Sequence, residues 1–223
     1  MQQLNINELK PHPRNNEFFD DMTGDAWEAF KESIKTSGII EPIVVTKDMI
    51  IVSGHQRVRA AKELGISTVM VDIRKYENDE QVLKDLIETN IRQRGVGNPN
   101  PIKLGRCIKE LEKIYGVREG RPEKLPKVSA VTQEQLSDMI GISVDTLQNY
   151  KKLTELIPEL EDLVETGILA PTTATALVKR MTPSEQEDFV KSIAIPRKIM
   201  MMVRAGSPVD ELMEQLFPYL SPG

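Results

Sequence analysis

Cysteine, histidine and long apolar runs are scarce in this chain, and each scarcity removes a class of function. Its 223 residues include one cysteine, Cys107, so no internal disulfide can form. The apolar and basic residues around Cys107 suit a small buried side chain better than a nucleophile. Two histidines, His12 and His55, make no cluster with metal-ligand spacing. No run approaches the ~18 apolar residues of a membrane span. The start, MQQLNINELKPHP, has no basic segment leading into an apolar one. Neither a secretory signal nor a membrane partner is therefore expected, and the expected compartment is the cytoplasm. Repeats and low-complexity tracts are missing too. The composition, 39% hydrophobic and 28% charged, is that of an ordinary globular chain long enough for one or two domains, with two favoured.

A basic excess is also missing, since the net charge is -5, but the charge is unevenly spread. From Arg92 to Lys127 ten Lys or Arg stand against four Glu, a local +6, whereas from Glu155 to Asp188 eight acids stand against two bases, a local -6. Association responds to local patches. The middle of the chain can meet phosphate while the C-terminal third stays solvated.

Hydrophobic periodicity divides the chain further. LNINEL (4–9) reads as a short strand, and the prolines of KPHPRN make the next stretch a loop. Trp27, Phe30 and Ile34 fall three to four apart after Asp25, with Gly38 as a stop, which predicts an amphipathic helix. PIVVT (42–46) and MIIVS (49–53) are β-branched runs separated by Lys47-Asp48 and predict a hairpin. A helix follows from His55 to Leu64, capped by Gly65, and then a strand in STVMVDIR (67–74). From Asp79 onward nearly everything reads as helix: QVLKDLIETNIRQR behind Asn78-Asp79 as cap, a break at GVGNPNP (95–101), a basic helix over about 102–115, and a loop in REGRPEKLPK (118–127). The fold class expected is α+β, with a small α/β unit followed by an all-α part.

In TQEQLSDMIGISVDTLQNYKKL (132–153), Thr132 and Gln135 form a capping-box pattern, and Leu136, Met139 and Ile140 give one apolar face. Gly141 allows a tight turn. Ser143 caps a second helix whose Leu147 and Tyr150 face inward. This spacing resembles a helix-turn-helix whose second helix would enter a DNA major groove. Thr132, Gln133, Ser143, Val144, Asp145, Thr146, Gln148 and Asn149 are the candidate DNA-facing residues, with Lys151 and Lys152 for phosphate. Gln148 and Asn149 can pair with adenine edges, and Asp145 could only accept from cytosine. A helical hairpin inside a bundle has the same periodicity.

SGHQRVRAAKELG (53–65) places a glycine between a strand and a helix, where backbone can approach a ligand and the free N–H groups of the first turn attract anions. Arg57 can fork onto phosphate oxygens, and Arg59 adds a second charge. The stretch lacks the GxxxxGK[ST] spacing of a P-loop. A solvated basic first turn is the plainer reading.

The order TSGIIEPIVV (36–45), SGHQRVRAAKELG (53–65), LIETNIRQR (86–94), helix-turn-helix and YKKLTELIPEL (150–160) resembles the ParB family of chromosome and plasmid partition proteins over residues 4–190. The resemblance implies a sulfiredoxin-like α/β domain that binds CTP with Mg2+. The family's phosphate motif G-E-x-R-x-x-A matches Gly54, Arg57 and Ala60, but His55 stands where the family has Glu. Where that Glu can reach a metal or polarise water, a histidine would more simply donate a hydrogen bond, so nucleotide binding is the firmer implication and hydrolysis the weaker. The family's E-N-x-x-R motif falls in two registers, Glu88, Thr89 and Arg92 without a gap, or Glu88, Asn90 and Arg94 with one inserted residue. At about 100° per residue the first set shares one side of a helix, while Asn90 and Arg94 project with Leu83, Leu86, Ile87 and Ile91. A surface Glu88–Arg92 pair is the plain alternative.

The implied nucleotide site is thus Gly38 and Ile39 on the base side, Ser53, Gly54, His55, Gln56, Arg57 and Arg59, and Glu88, Thr89, Asn90, Arg92 and Arg94, with Glu88 and Asn90 reaching Mg2+ through the nucleotide. The implied domains are 1–95 for nucleotide, 96–128 as a linking helix and loop, 129–195 for the helix-turn-helix, and 196–223 as a short helical tail. The family also implies a homodimer, double-stranded DNA carrying a parS-like site, and association with nucleoid or plasmid. A ParA-type ATPase is a further implied partner, although the first family box, LKPHPR (9–14), begins close to Met1. The stretch after Ile195 is shorter than the family's dimerisation domain. Two other readings share these motifs: a ParB-fold nuclease or nucleotide-dependent kinase, with Glu41 or Glu88 as its carboxylate base, and a transcription regulator without a partition role.

Overall fold

In the computed structural model, residues 1–94, 100–117 and 131–192 are described. The chain divides into two compact units, Met1–Thr154 and Glu155–Gly223. The first begins with strand β1 (Gln2–Asn5) and a 3-10 turn at Ile6–Glu8. The expected strand over LNINEL stops early because Asn5 and Glu8 form a reciprocal cap. Asn5 Oδ1 accepts from Asn7 N at 2.9 Å, and Asn5 N donates to Glu8 Oε1 at 3.2 Å. A short helix α1 (Asn15–Phe18) and the amphipathic α2 (Gly24–Ser37) follow, the latter stopped by Gly38 at φ 72°.

Strands β2 (Ile43–Thr46) and β3 (Ile51–Ser53) form the expected hairpin. Helix α3 (His55–Glu63) then crosses back to β4 (Thr68–Arg74), which lies parallel to β2 and antiparallel to β1. The sheet order is β1-β4-β2-β3. One face packs Ile43, Val45, Ile51, Val69 and Val71 against Val58 and Ala61 of α3. On the opposite face Val44 and Val52 meet α4 (Asp79–Arg94), whose Val82, Leu83, Leu86 and Ile87 join the same cluster.

That second cluster continues out of the α/β region. It takes in Leu104, Cys107, Ile108 and Leu111 of α5 (Pro101–Tyr115), Leu136 and Ile140 of α6 (Gln133–Ile140), and Leu147 of α7 (Val144–Leu153). One apolar core therefore runs from the sheet to α7. Cys107, 1% exposed, sits inside it as its setting suggested. At Gly105 the crossing of α5 over α7 is close: an added Cβ would lie 2.3 Å from the Tyr150 carbonyl oxygen.

In the second unit α8 (Pro158–Glu165), α9 (Pro171–Val178) and α10 (Pro183–Ser192) each open on proline, where the missing N–H costs nothing. Its buried Gln186 accepts from Ile157 N at 3.1 Å and donates to the Met181 carbonyl at 3.3 Å. The linker loop (118–127), residues 95–99 of the break before α5 and the tail over 196–223 lie outside the described residues.

Candidate nucleotide and DNA interfaces

Strand β3 delivers Ser53 and Gly54 to the start of α3. Gly54 adopts φ 108°, a left-handed conformation that L side chains resist, and a Cβ there would lie 2.7 Å from Ile43 Cδ1 and 3.2 Å from Arg57 Nε. Gly54 is the N-cap of α3 and makes no side-chain capping bond to the first turn.

Four side chains at the start of α3 hold the neighbouring loops. His55 Nε2 accepts from His12 N at 3.1 Å, which fixes the loop that carries the LKPHPR box. Gln56 donates to Asp21 at 2.6 Å and accepts from Met22 N at 3.3 Å. Arg57 reaches the carbonyl oxygens of Glu41 at 2.7 Å and Pro42 at 3.2 Å, the Ser53 hydroxyl at 3.3 Å and the Glu41 carboxylate at 3.3 Å. Arg59 donates to the Met22 carbonyl at 2.9 Å and lies 3.9 Å over the Trp27 ring. The structure thus brings Glu41, Ser53, Gly54, His55, Gln56, Arg57 and Arg59 together at the start of α3.

Two of these positions differ from the reading as open phosphate ligands. Arg59 spends its face on Trp27 and one side on Glu63, 3.4 Å away. Arg57 is only 13% exposed at its side chain and clamps the 41–42 backbone. Burial holds its guanidinium pKa below the ordinary value, with the exposed Glu41 opposing. A cavity of about 550 Å3 opens nearby, but His12, Arg14, Lys47, Arg74 and Asp79 line it and none of the α3 residues does.

On α4 the ungapped register shares one side, as helix geometry predicts. Glu88 takes the Tyr115 hydroxyl on Oε1 and lies 3.6 Å from Arg92, and Thr89 donates to Asp85 at 3.1 Å. Asn90 is buried and donates back to the Leu86 carbonyl at 2.7 Å. The Arg94 side chain lies outside the described residues. Both Glu88 oxygens thus face protein partners, and the Asn90 amide nitrogen is turned into its own helix. Among the described residues no cluster of three His, Cys, Asp or Glu could hold a metal. As a catalytic base Glu88 is similarly engaged, and Glu41 faces Arg57.

The second region is built as expected. Thr132 Oγ1 accepts from Gln135 N while Gln135 Oε1 accepts from Thr132 N, Gly141 turns at φ 85°, and Ser143 Oγ accepts from Thr146 N at 3.2 Å. Ser143, Asp145 and Asn149 are exposed on α7, and Val144, Thr146, Gln148 and Lys152 are half-buried. Lys151 corrects the reading. It is 4% exposed, and its ammonium lies 2.8 Å from Glu112 of α5, so it ties α7 to the core and cannot reach phosphate from there. Glu112 was missed in the sequence, although it follows Leu104, Ile108 and Leu111 on one face of α5. Two opposite charges on two apolar faces was the available signal.

The family model for the ParB N-terminal domain matches residues 1–91, and that for the ParB HTH domain matches residues 123–204. The chain is similar to the probable chromosome-partitioning protein ParB of Vibrio cholerae, 30% identical over 191 residues, which cover 82% of this chain and 57% of that one. It is similar also to the stage 0 sporulation protein J of Bacillus subtilis, 27% identical over 197 residues, 86% of this chain and 62% of that one. It spans roughly three fifths of the length of these relatives. In fold it resembles the C-terminally truncated ParB of Caulobacter crescentus complexed to the centromeric parS site, with TM-score 0.53 and 24% identity over 86% of this chain and 91% of that one. It also resembles a pNOB8-like ParB N-domain, with TM-score 0.58 and 15% identity over 99% and 91%. Among the described residues no helix is long and apolar enough to cross a membrane.

Proposed function

The chain belongs to the ParB family, and on that premise we propose that it is a DNA-binding partition protein whose grip on DNA is set by a nucleotide at the start of α3. The observation that carries the DNA reading is the α6–α7 pair: both helices capped, Gly141 in the turn, and Asp145, Gln148 and Asn149 toward the outer side of the second. Lys152 and the basic residues of 92–113 are the phosphate contacts this reading uses. A parS-like duplex, a homodimer, a ParA-type ATPase and association with nucleoid or plasmid come with the family and belong to the same proposal.

The nucleotide reading, CTP by family resemblance, rests on a helix terminus whose N-cap is a glycine, the room its missing Cβ leaves, and a buried guanidinium met by one exposed carboxylate. These fit an anionic group. The N–H groups of His55, Gln56 and Arg57 would hold phosphate oxygens, and Arg57 would exchange its carbonyl partners for them. The loop Gly38–Glu41 would face the base. Because each first-turn side chain holds a loop, phosphate binding would redistribute those loops. The core shared by α4, α5 and α7 offers a physical route toward the DNA-facing helix. The nucleotide can shift that equilibrium only by its differential affinity for the two arrangements. No hydrolytic step is proposed, since His55 stands in the place of the family's glutamate and its Nε2 accepts from a backbone N–H.

Calorimetric titration with CTP, ATP and GTP, each with Mg2+, tests this. Heat with CTP alone, abolished in Arg57→Ala, is the expected result. Equal weak heats for all three would remove the base-selective pocket. In the same chain the logarithm of duplex affinity should fall linearly with the logarithm of salt concentration.

A further inference from the structure

A polar chain runs from the interior to the DNA-facing helix. Lys151 Nζ lies 3.0 Å from Glu112 Oε1 and 2.8 Å from Oε2. Gln133 Nε2, on α6, donates to Glu112 Oε1 at 3.4 Å. Gln148 Nε2, on α7, donates to Gln133 Oε1 at 2.8 Å. Three helices are joined, and the direction of each bond follows from the one before it. A carboxylate held against an ammonium accepts only. Gln133 must therefore turn its NH2 inward and its carbonyl oxygen outward. That oxygen also accepts only, so Gln148 must turn its own NH2 toward it.

We infer that Lys151–Glu112–Gln133 is a positioning relay that fixes the amide polarity of Gln148, making Gln148 a residue that selects adenine against guanine in the major groove. With its orientation fixed, Gln148 keeps its carbonyl oxygen and its second N–H for a ligand. Adenine presents an N6–H donor and the N7 acceptor there, which complement that pair. Guanine presents two acceptors, O6 and N7, and O6 would face the Gln148 oxygen. A free glutamine amide could rotate to relieve this clash, whereas this one would break the bond to Gln133. The discrimination thus comes from a repulsive contact as well as an attractive one. The relay also gives the lysine buried so near that surface a role: its ammonium holds the Glu112 carboxylate in place as the acceptor for Gln133.

This inference rests on the DNA reading above, and the experiment separates the two. The full chain is selected against a pool of randomised duplexes, and the enriched base at each position is compared with the Gln148→Ala and Gln133→Ala variants. Wild type is expected to enrich adenine at the position that loses its preference in Gln148→Ala. In Gln133→Ala the adenine-over-guanine preference at that same position should fall on the order of tenfold, with the salt slope unchanged. Gln133→Lys, which still donates to Glu112 but offers Gln148 no acceptor, should lose the same preference and guards against a folding defect in the alanine variant. Full adenine preference in both Gln133 variants would overturn the relay and leave DNA binding standing. So would an enriched guanine at the Gln148 position. A wild-type chain with no salt-dependent duplex affinity would overturn the DNA reading and the relay together.

Discussion

Gly105→Ala pits two effects of opposite sign against each other. In the interior of a regular helix, Ala is favoured over Gly by about 1 kcal/mol, and Gly105 is well inside α5. Its neighbours argue the other way. The new Cβ would sit 2.3 Å from the Tyr150 carbonyl oxygen and 2.8 Å from Thr154 Cγ2, and the first of these is backbone that no rotamer change can move. Relief needs the axes of α5 and α7 to separate by most of an ångström, through a core that includes Leu104, Ile108 and Leu147. Overpacking of this kind costs typically 1–3 kcal/mol, with the upper end appropriate for a backbone clash. The net expectation is a loss of about 2 kcal/mol. For a chain of this size that corresponds to a fall in Tm of roughly 4–8 °C. Urea and thermal unfolding followed by circular dichroism measure it directly, with an unchanged m-value showing that stability alone has moved. Because α7 is displaced, duplex affinity should fall in the same variant. An unchanged or raised urea midpoint would refute the close helix crossing and with it the account of how α5 sets the position of α7.

Two further outcomes follow from charges the fold has taken inside. Lys151→Met should destabilise by about 3–5 kcal/mol, since it leaves Glu112 buried without its cation, whereas Lys151→Met combined with Glu112→Leu should recover most of that loss in urea melts; equal losses in the two would show that the pair is not coupled. Acidification should destabilise the first unit through His12, whose pKa burial and Arg14 hold below its ordinary value of 6.5, against Asp79 and Glu17. A native state that resists protonation binds fewer protons than the unfolded chain below about pH 6.5, so stability is complete above that pH and lost as the pH falls through the window. His12→Asn keeps an acceptor for the Arg14 N–H that His12 Nδ1 receives at 3.2 Å. A thermal stability profile between pH 7 and 5 should therefore flatten in that variant, and an unaltered slope would assign the titration elsewhere.

Local signals in the sequence settled much of this protein. The β-branched runs on either side of Lys47-Asp48 determined the hairpin, because strand alternation and a short polar turn leave few alternatives. Thr132, Gln135, Gly141 and Ser143 determined the helix-turn-helix, because capping and a left-handed glycine act within a few residues. Asn90 could be placed among the apolar residues of α4 from the 3.6-residue period alone. Long-range partners decided the rest. Nothing near Arg59 in sequence names Trp27, 32 positions earlier, as the surface it covers. Arg57, read as a free phosphate fork, is a clamp on residues 41 and 42 because the α3 terminus abuts the loop into β2. Lys151 was read with Lys152 as a phosphate contact on α7, yet which of two adjacent lysines turns inward depends on where α5 places a carboxylate. Sequence periodicity specifies which face of a helix is apolar, and only tertiary packing specifies what stands opposite it. For a charged residue that opposite group is the whole difference between a ligand contact and a structural pin.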